Sequence, residues 1–251
     1  MSINKLFFLL VIGELLCTPC VAENTVDPFS AEWIGLYQSG AAFPDINNSV
    51  YCVRDGVLFQ GNILVAYPRE KTDKEYRVPD GTEMIATCAF DGNQYLEKVV
   101  LPSSITCIGD GAFVGCTELQ EINLPDRLLV IGSTAFAQCY SLKNIVLPSH
   151  LYVIGDQAFC EASTLTGTLV IPSSVKYIGD ELLCYTNIST IIFEGCVYQV
   201  GHFLIGEPNP MIYYEIQVPD LCFSFAEALQ EEYTGFDNVI VVETISGHAL
   251  E

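Results

Sequence analysis

Pro79, Pro102, Pro125, Pro148 and Pro172 fall 23, 23, 23 and 24 residues apart. A fixed period in the twenties means a stack of like units, each too small to bury its own apolar face, and therefore a solenoid. Each unit reads out in full. Leu119-x-x-Ile122-x-Leu124-Pro125 is followed by Leu128-x-x-Ile131-Gly132 and then Ala135-Phe136-x-x-Cys139. The neighbouring copies run Leu96, Val99, Leu101, Ile105, Ile108, Ala112, Phe113, Cys116 and Leu142, Ile145, Leu147, Leu151, Ile154, Ala158, Phe159, Ala162. In the fourth repeat Leu182-Leu183 replaces Ala-Phe, and one extra residue near Gly167 lengthens it.

Leu-x-x-Ile-x-Leu predicts a short strand with its apolar side chains on one face. Proline, which has no N–H for the ladder, ends that strand. Ile-Gly closes a second extended piece, with Gly expected to make a tight bend. Ala-Phe carries a large ring inward beside a small neighbour.

These motifs resemble the BspA-like leucine-rich repeat family of bacterial surface proteins. The match covers residues 79–195. Tyr51-Cys52-Val53-Arg54-Asp55-Gly56-Val57-Leu58-Phe59 with Leu64-Val65-Ala66-Tyr67-Pro68 looks like the hairpin that precedes such arrays, and Val218-Pro219-Asp220 opens a stretch similar to the family's closing unit. The resemblance implies a β-rich leucine-rich repeat solenoid of short parallel strands in about 23-residue repeats. An N-terminal hairpin cap and a C-terminal helix and strand cap would close it.

The expected organisation is a signal peptide (1–22), a leader and hairpin cap (23–78), the array (79–195), a capping unit (196–247) and a tail (248–251). Lys5, the apolar run 6–12 and a cleavage site after Cys20-Val21-Ala22 carry the first of these. The run is too short to span a bilayer, which takes about 20 apolar residues. A secreted or cell-surface location follows. In the capping unit Asp220 is placed to cap a helix, with Leu221, Phe225, Leu229 and Tyr233 four apart on one face. Residues 239–242 read as a last strand.

Of the eleven cysteines, Cys17 and Cys20 fall in the expected signal peptide, so their C-x-x-C spacing carries no redox meaning. Cys116 and Cys139 occupy one slot in successive repeats, where stacking at about 5 Å permits a bridge without requiring it. The thiols are expected to be mostly reduced and buried, as small hydrophobes. Zinc would need paired short spacings that the rest of the chain lacks.

The net charge is −21, and no Lys or Arg follows Lys176. Acidity keeps an exported array soluble; the alternative reading is a pole that prefers basic partners. Nucleic acid is a poor candidate, since phosphate binding needs clustered positive charge.

Catalysis has little support in the residues. None of H-E-x-x-H, G-x-S-x-G, G-x-x-x-x-G-K and G-x-G-x-x-G occurs. His150 fills a slot held elsewhere by Ser104, Arg127 and Ser174, while His202 and His248 have no ligand spacing around them. Ser103-Ser104 and Ser173-Ser174 are turn residues. A glycosidase would need two carboxylates about 5–10 Å apart in a cleft, and Glu97 and Glu121 sit on different rungs. No cofactor and no metal is expected.

The outward columns of the strands are the candidate surface. One holds Val100, Asn123, Val146, Val170 and Ile192; beside it run Lys98, Glu121, Asn144, Thr168 and Thr190. Five rungs align them over roughly 20–25 Å. Four of the five in the first column are β-branched and apolar, which suits strands in general; a continuous apolar row also suits a docked protein segment. The family resemblance implies adhesion and protein–protein contacts, including contacts with host proteins. A monomer that binds a protein through this row is expected; the alternative is an assembly protein that self-associates, as a weak homodimer, through it.

Overall fold

The computed structural model describes residues 51–219 and 222–244. The expected signal peptide and leader (1–50), Asp220, Leu221 and the tail with His248 lie outside the described residues, as does the side chain of Phe225.

The strands β1 (Tyr51–Arg54), β2 (Val57–Gln60) and β3 (Ile63–Ala66) form an antiparallel meander where a hairpin was expected. Asp55 and Gly56, both at positive φ, make its first turn, as Asp-Gly does in tight hairpins. Every later pairing among the described residues is parallel. β4 (Glu75–Arg77) and β5 (Met84–Ile85) belong to one rung, β6 (Lys98–Val100) and β7 (Cys107–Ile108) to the next, then β8 (Glu121–Ile122) and β9 (Val130–Ile131). The following rung contributes only β10 (Val153–Ile154). β11 (Thr166–Ile171) and β12 (Tyr177–Ile178), then β13 (Asn187–Phe193) and β14 (Gln199–Val200), restore the pair. β15 (Tyr214–Pro219), helix α1 (Phe223–Glu232) and β16 (Val239–Thr244) close the array.

The Ile-Gly pieces are the continuous face. They join the meander in a nine-stranded sheet, β1-β2-β3-β5-β7-β9-β10-β12-β14. The Leu-x-x-Ile-x-Leu pieces split into a three-stranded sheet, β4-β6-β8, and a four-stranded sheet, β11-β13-β15-β16. The unbroken five-rung row expected from the sequence is thus interrupted at residues 144–146.

Between the faces lies one column of rings. Phe90, Phe113, Phe136 and Phe159 are fully buried, with successive centroids 4.6, 5.2 and 5.5 Å apart and planes within 15°. Tyr67 of the hairpin stacks on Phe90 at 5.0 Å, so the cap continues the column. The next rung sets Leu183 there, buried as the rings are.

The repeat glycines have a different task from the one expected. Gly155 has no positive φ, and a Cβ on it would lie 2.4 Å from Ser133 N and 2.6 Å from Gly132 C. Consecutive rungs touch backbone to backbone here, and only a residue without a side chain fits.

The cysteine slot is occupied for hydrogen bonding as well as for size. Cys116 Sγ donates to Phe90 O at 3.1 Å and Cys139 Sγ to Phe113 O at 3.2 Å. In the first rung Asn93 fills the same slot, fully buried. Its Nδ2 donates to Pro68 O and Lys71 O while its Oδ1 accepts from the N–H groups of Tyr95 and Leu96. That amide ties the hairpin cap to the array.

The cysteine pairing departs from expectation. Cys116 and Cys139 stay free, as expected; the departure is two bridges, Cys160–Cys184 and Cys196–Cys222. Cys160 and Cys184 stand one residue after the ring slot on adjacent rungs, with Cα atoms 4.7 Å apart. The second bridge fastens the rung of β14 to Cys222, the residue that precedes α1. That N-cap carries no side-chain hydrogen bond. Cys107, Cys116 and Cys139 are buried thiols as expected, and burial pushes Cys107 and Cys116 up to about 12.

The last rung is closed by side chains that imitate a further one. Within the array the N–H groups of each ring segment donate to carbonyls of the next rung, as Phe136 does to Ala158 O and Leu183 to Leu204 O. After the last such segment, Phe203 N–H donates to Glu232 Oε1 and Ile205 N–H to Tyr233 Oη, the latter at 3.0 Å. Removing the hydroxyl in Tyr233→Phe leaves a buried donor without a partner and is expected to destabilise the chain by about 1–3 kcal/mol. Urea unfolding measures this, and a change below half a kcal/mol would refute the capping role.

Candidate functional site

Side-chain columns on the candidate face follow the registers of the two smaller sheets. In the first, Glu75, Lys98 and Glu121 are paired across β4, β6 and β8, with Arg77 opposite Val100 beside them. In the second, Thr168, Thr190 and Glu215 form one column and Val170, Ile192 and Gln217 the other. The register slips between Gly167 and Thr168, where the extra residue of the fourth repeat was placed.

Six of the ten expected residues come together. Lys98, Val100, Glu121, Asn123, Asn144 and Val146 line an open depression of about 790 Å³ where the three-stranded sheet ends. Thr168, Val170, Thr190 and Ile192 lie on the four-stranded sheet and take no part in it. Val146 is 80% exposed and Val170 39%, whereas Val100, Thr190 and Ile192 are half-buried.

The depression exists because one strand is missing, and Asn123 marks where pairing fails. Its Oδ1 accepts from Leu101 N–H at 2.8 Å and its Nδ2 donates to Leu101 O at 2.9 Å. The amide takes the place of the backbone that would have continued β8, so β8 stops at Ile122. On the next rung Lys143 N–H reaches Gln120 O at 3.3 Å. Beyond it, among the described residues, no backbone hydrogen bond joins residues 144–147 to either neighbouring strand. Asn123 is therefore a structural member of the expected column, not a free recognition group.

Among the described residues one ion pair lines the depression. Lys98 Nζ lies 2.8 Å from Glu121 Oε2, and this hydrogen bond raises the lysine pKa and lowers that of the glutamate. Lys143 Nζ donates to Gln120 Oε1 at 2.7 Å. Arg77, Gln120, Asp126 and Lys143 also line the site and were not singled out from the sequence. Period arithmetic finds one of them: Arg77 stands 23 residues before Val100, a residue of the expected column.

The remaining polar residues are accounted for by packing. Glu97 pairs with Lys74 at 2.8 Å, one rung from the Lys98–Glu121 pair. Ser104 and Ser174 donate to Thr82 O and Leu151 O as turn residues. His150 is exposed beside Ser149, and His202 N–H donates to Asp180 Oδ1. Among the described residues no three His, Cys, Asp or Glu side chains gather as a metal site, and no helix is long and apolar enough to cross a membrane.

Residues 82–204 match the model of the BspA type leucine rich repeat region in six copies. No curated protein matches the chain. Among solved structures, a leucine rich cell surface protein from Faecalibacterium prausnitzii is similar, at 32% identity over 58% of this chain and 40% of that one, with a TM-score of 0.51. The pneumococcal vaccine antigen PcpA shares the fold at 22% identity over 78% of this chain and 47% of its own, with a TM-score of 0.54. The chain spans less than half the length of either protein.

Proposed function

Residues 82–204 being BspA-type leucine-rich repeats, we propose that this chain is a non-catalytic binding module, secreted or displayed at the cell surface, which captures a protein partner in the depression beside β8. The carrying observation is the missing strand. It leaves an open recess lined by an exposed valine, Val146, and by polar groups of both signs. Stacked rungs hold these groups in place before any partner arrives, so little ordering cost attends binding. Apolar contact would come from Val100 and Val146, and direction from Arg77, Lys98, Glu121 and Lys143. The surface role of the similar F. prausnitzii protein supports display outside the cell. Host proteins and adhesion are the finer form of the same proposal.

Catalysis has no comparable support. Glu97 and Glu121 are each held by a lysine on a neighbouring rung.

The test is capture of extracellular proteins by immobilised chain, wild type against Val100→Glu with Val146→Glu. The double variant is expected to lose at least about tenfold in affinity for whatever the wild type retains, because two carboxylates enter an apolar contact, while thermal unfolding stays cooperative. Retained capture would refute the site. A concentration-dependent dimer in light scattering, abolished by the same substitutions, would instead identify the depression as a self-association surface.

A further inference from the structure

Among the described residues the nine-stranded sheet ends at β14, with no strand paired beyond it. Gln199 and Gly201 turn their N–H groups to Lys176 O and Ile178 O on the β12 side. Val200, between them, turns its N–H and C=O the other way, toward a groove of about 670 Å³ between β14 and α1. This volume is within the ~300–1,000 Å³ range of ligand clefts. The cap is fastened to this rung twice: Glu232 and Tyr233 take the N–H groups of Phe203 and Ile205, and the Cys196–Cys222 bridge joins the rung to the residue before α1. Leu229 forms part of the floor, Tyr198 (73% exposed) and Phe203 (45%) stand on the strand side, and Glu231 with Glu232 stands on the helix side.

We propose that this groove accepts an extended, arginine- or lysine-bearing segment of a partner protein as an added strand along β14. Strand addition uses backbone bonds for affinity and side-chain pockets for choice of sequence, and here both are present. Charge chooses the occupant. Residues 177–251 carry twelve Asp and Glu and no Lys or Arg, so nothing in this part of the chain neutralises the groove from within. Lys176 Nζ already lies 5.5 Å over the Tyr198 ring, the geometry in which a cation and a ring attract. The chain's own leader, residues 23–50, holds four acids and no Lys or Arg, and a second copy meeting this edge with its own β14 would bring the same acidic edge. Both are repelled. This surface is separate from the depression beside β8 and does not depend on it.

The probe is a capped hexapeptide alternating arginine and valine, titrated into the full chain and followed by calorimetry. Two control peptides go alongside: one with glutamate in place of arginine, and one with a central proline that cannot donate to a strand edge. Binding of the first peptide alone is expected. Val200→Pro removes the outward N–H and leaves those of Gln199 and Gly201 in place; it is expected to weaken binding about tenfold, as losing one backbone bond does. Glu231→Lys, on the exposed face of α1, is expected to weaken it about threefold or more by charge and keeps the test sound if the proline variant fails to fold. Val100→Glu with Val146→Glu is expected to leave it unchanged. Equal binding of all three peptides, no binding of the arginine peptide, or a wild-type dimer that Val200→Pro dissolves would each overturn the proposal.

Discussion

Phe136→Ala is expected to destabilise the array by roughly 3–5 kcal/mol, the cost of emptying a ring-sized space in a close-packed core. The ring has no exposed surface and is sandwiched between Phe113 at 5.2 Å and Phe159 at 5.5 Å, nearly parallel to both. Its loss weakens two rung-to-rung interfaces at once. In a solenoid, stability is approximately a sum of such nearest-neighbour terms, so the two halves of the array should also uncouple. Urea unfolding is expected to show both a lower midpoint and a broader or divided transition. Phe136→Leu is the companion variant. Leu183 already occupies this column position in the fourth repeat, so a branched aliphatic fits the slot, and a cost below about 1.5 kcal/mol is expected. A loss under 1 kcal/mol for the alanine variant would show that the rings contribute little to cohesion.

Gly155→Ala is expected to be as damaging although it adds only a methyl group. That Cβ would meet backbone atoms of residues 132 and 133 at 2.4–2.7 Å, and the backbone of a neighbouring rung cannot move aside as a flexible side chain does. The rungs must separate, which breaks the Gly155 N–H bond to Ile131 O. A cost of at least about 3 kcal/mol follows, at the upper end for overpacking. Gly167→Ala provides the contrast. Nothing lies within 4 Å of its Cβ, and its φ is +80°, so the cost is backbone strain alone, about 1–2 kcal/mol. If the two variants melt together, close approach between rungs is not what the repeat glycine provides.

Much of the fold was legible because its signals are local and periodic. The slots Leu96, Leu119 and Leu142, and the rings Phe113, Phe136 and Phe159, each sit one period apart and are all buried. The hairpin before the array was legible for the same kind of reason, from Asp55-Gly56 between apolar runs. The candidate surface was legible as two columns, since alternation along a strand sets which residues face outward. That six of the ten would gather in one recess was not. It depends on Asn123, whose amide is one more polar residue in the sequence and a substitute for backbone pairing in the structure. The cysteines show the same boundary. The shared slot of Cys116 and Cys139 was legible as a buried thiol position, but that those thiols donate to carbonyls of the preceding rung, and that a bridge forms one slot type away at Cys160 and Cys184, was not.

The sequence alone determined the repeating unit, its period and the identity of the residues that each rung buries, because apolar spacing and proline placement act within a single unit. The tertiary structure decided which of the two strand faces runs unbroken, which sulfurs meet, and how Glu232 and Tyr233 close the last rung. These outcomes rest on distances between atoms a whole rung or more apart in sequence, where a difference of an ångström separates a hydrogen bond from a gap and no local pattern records it.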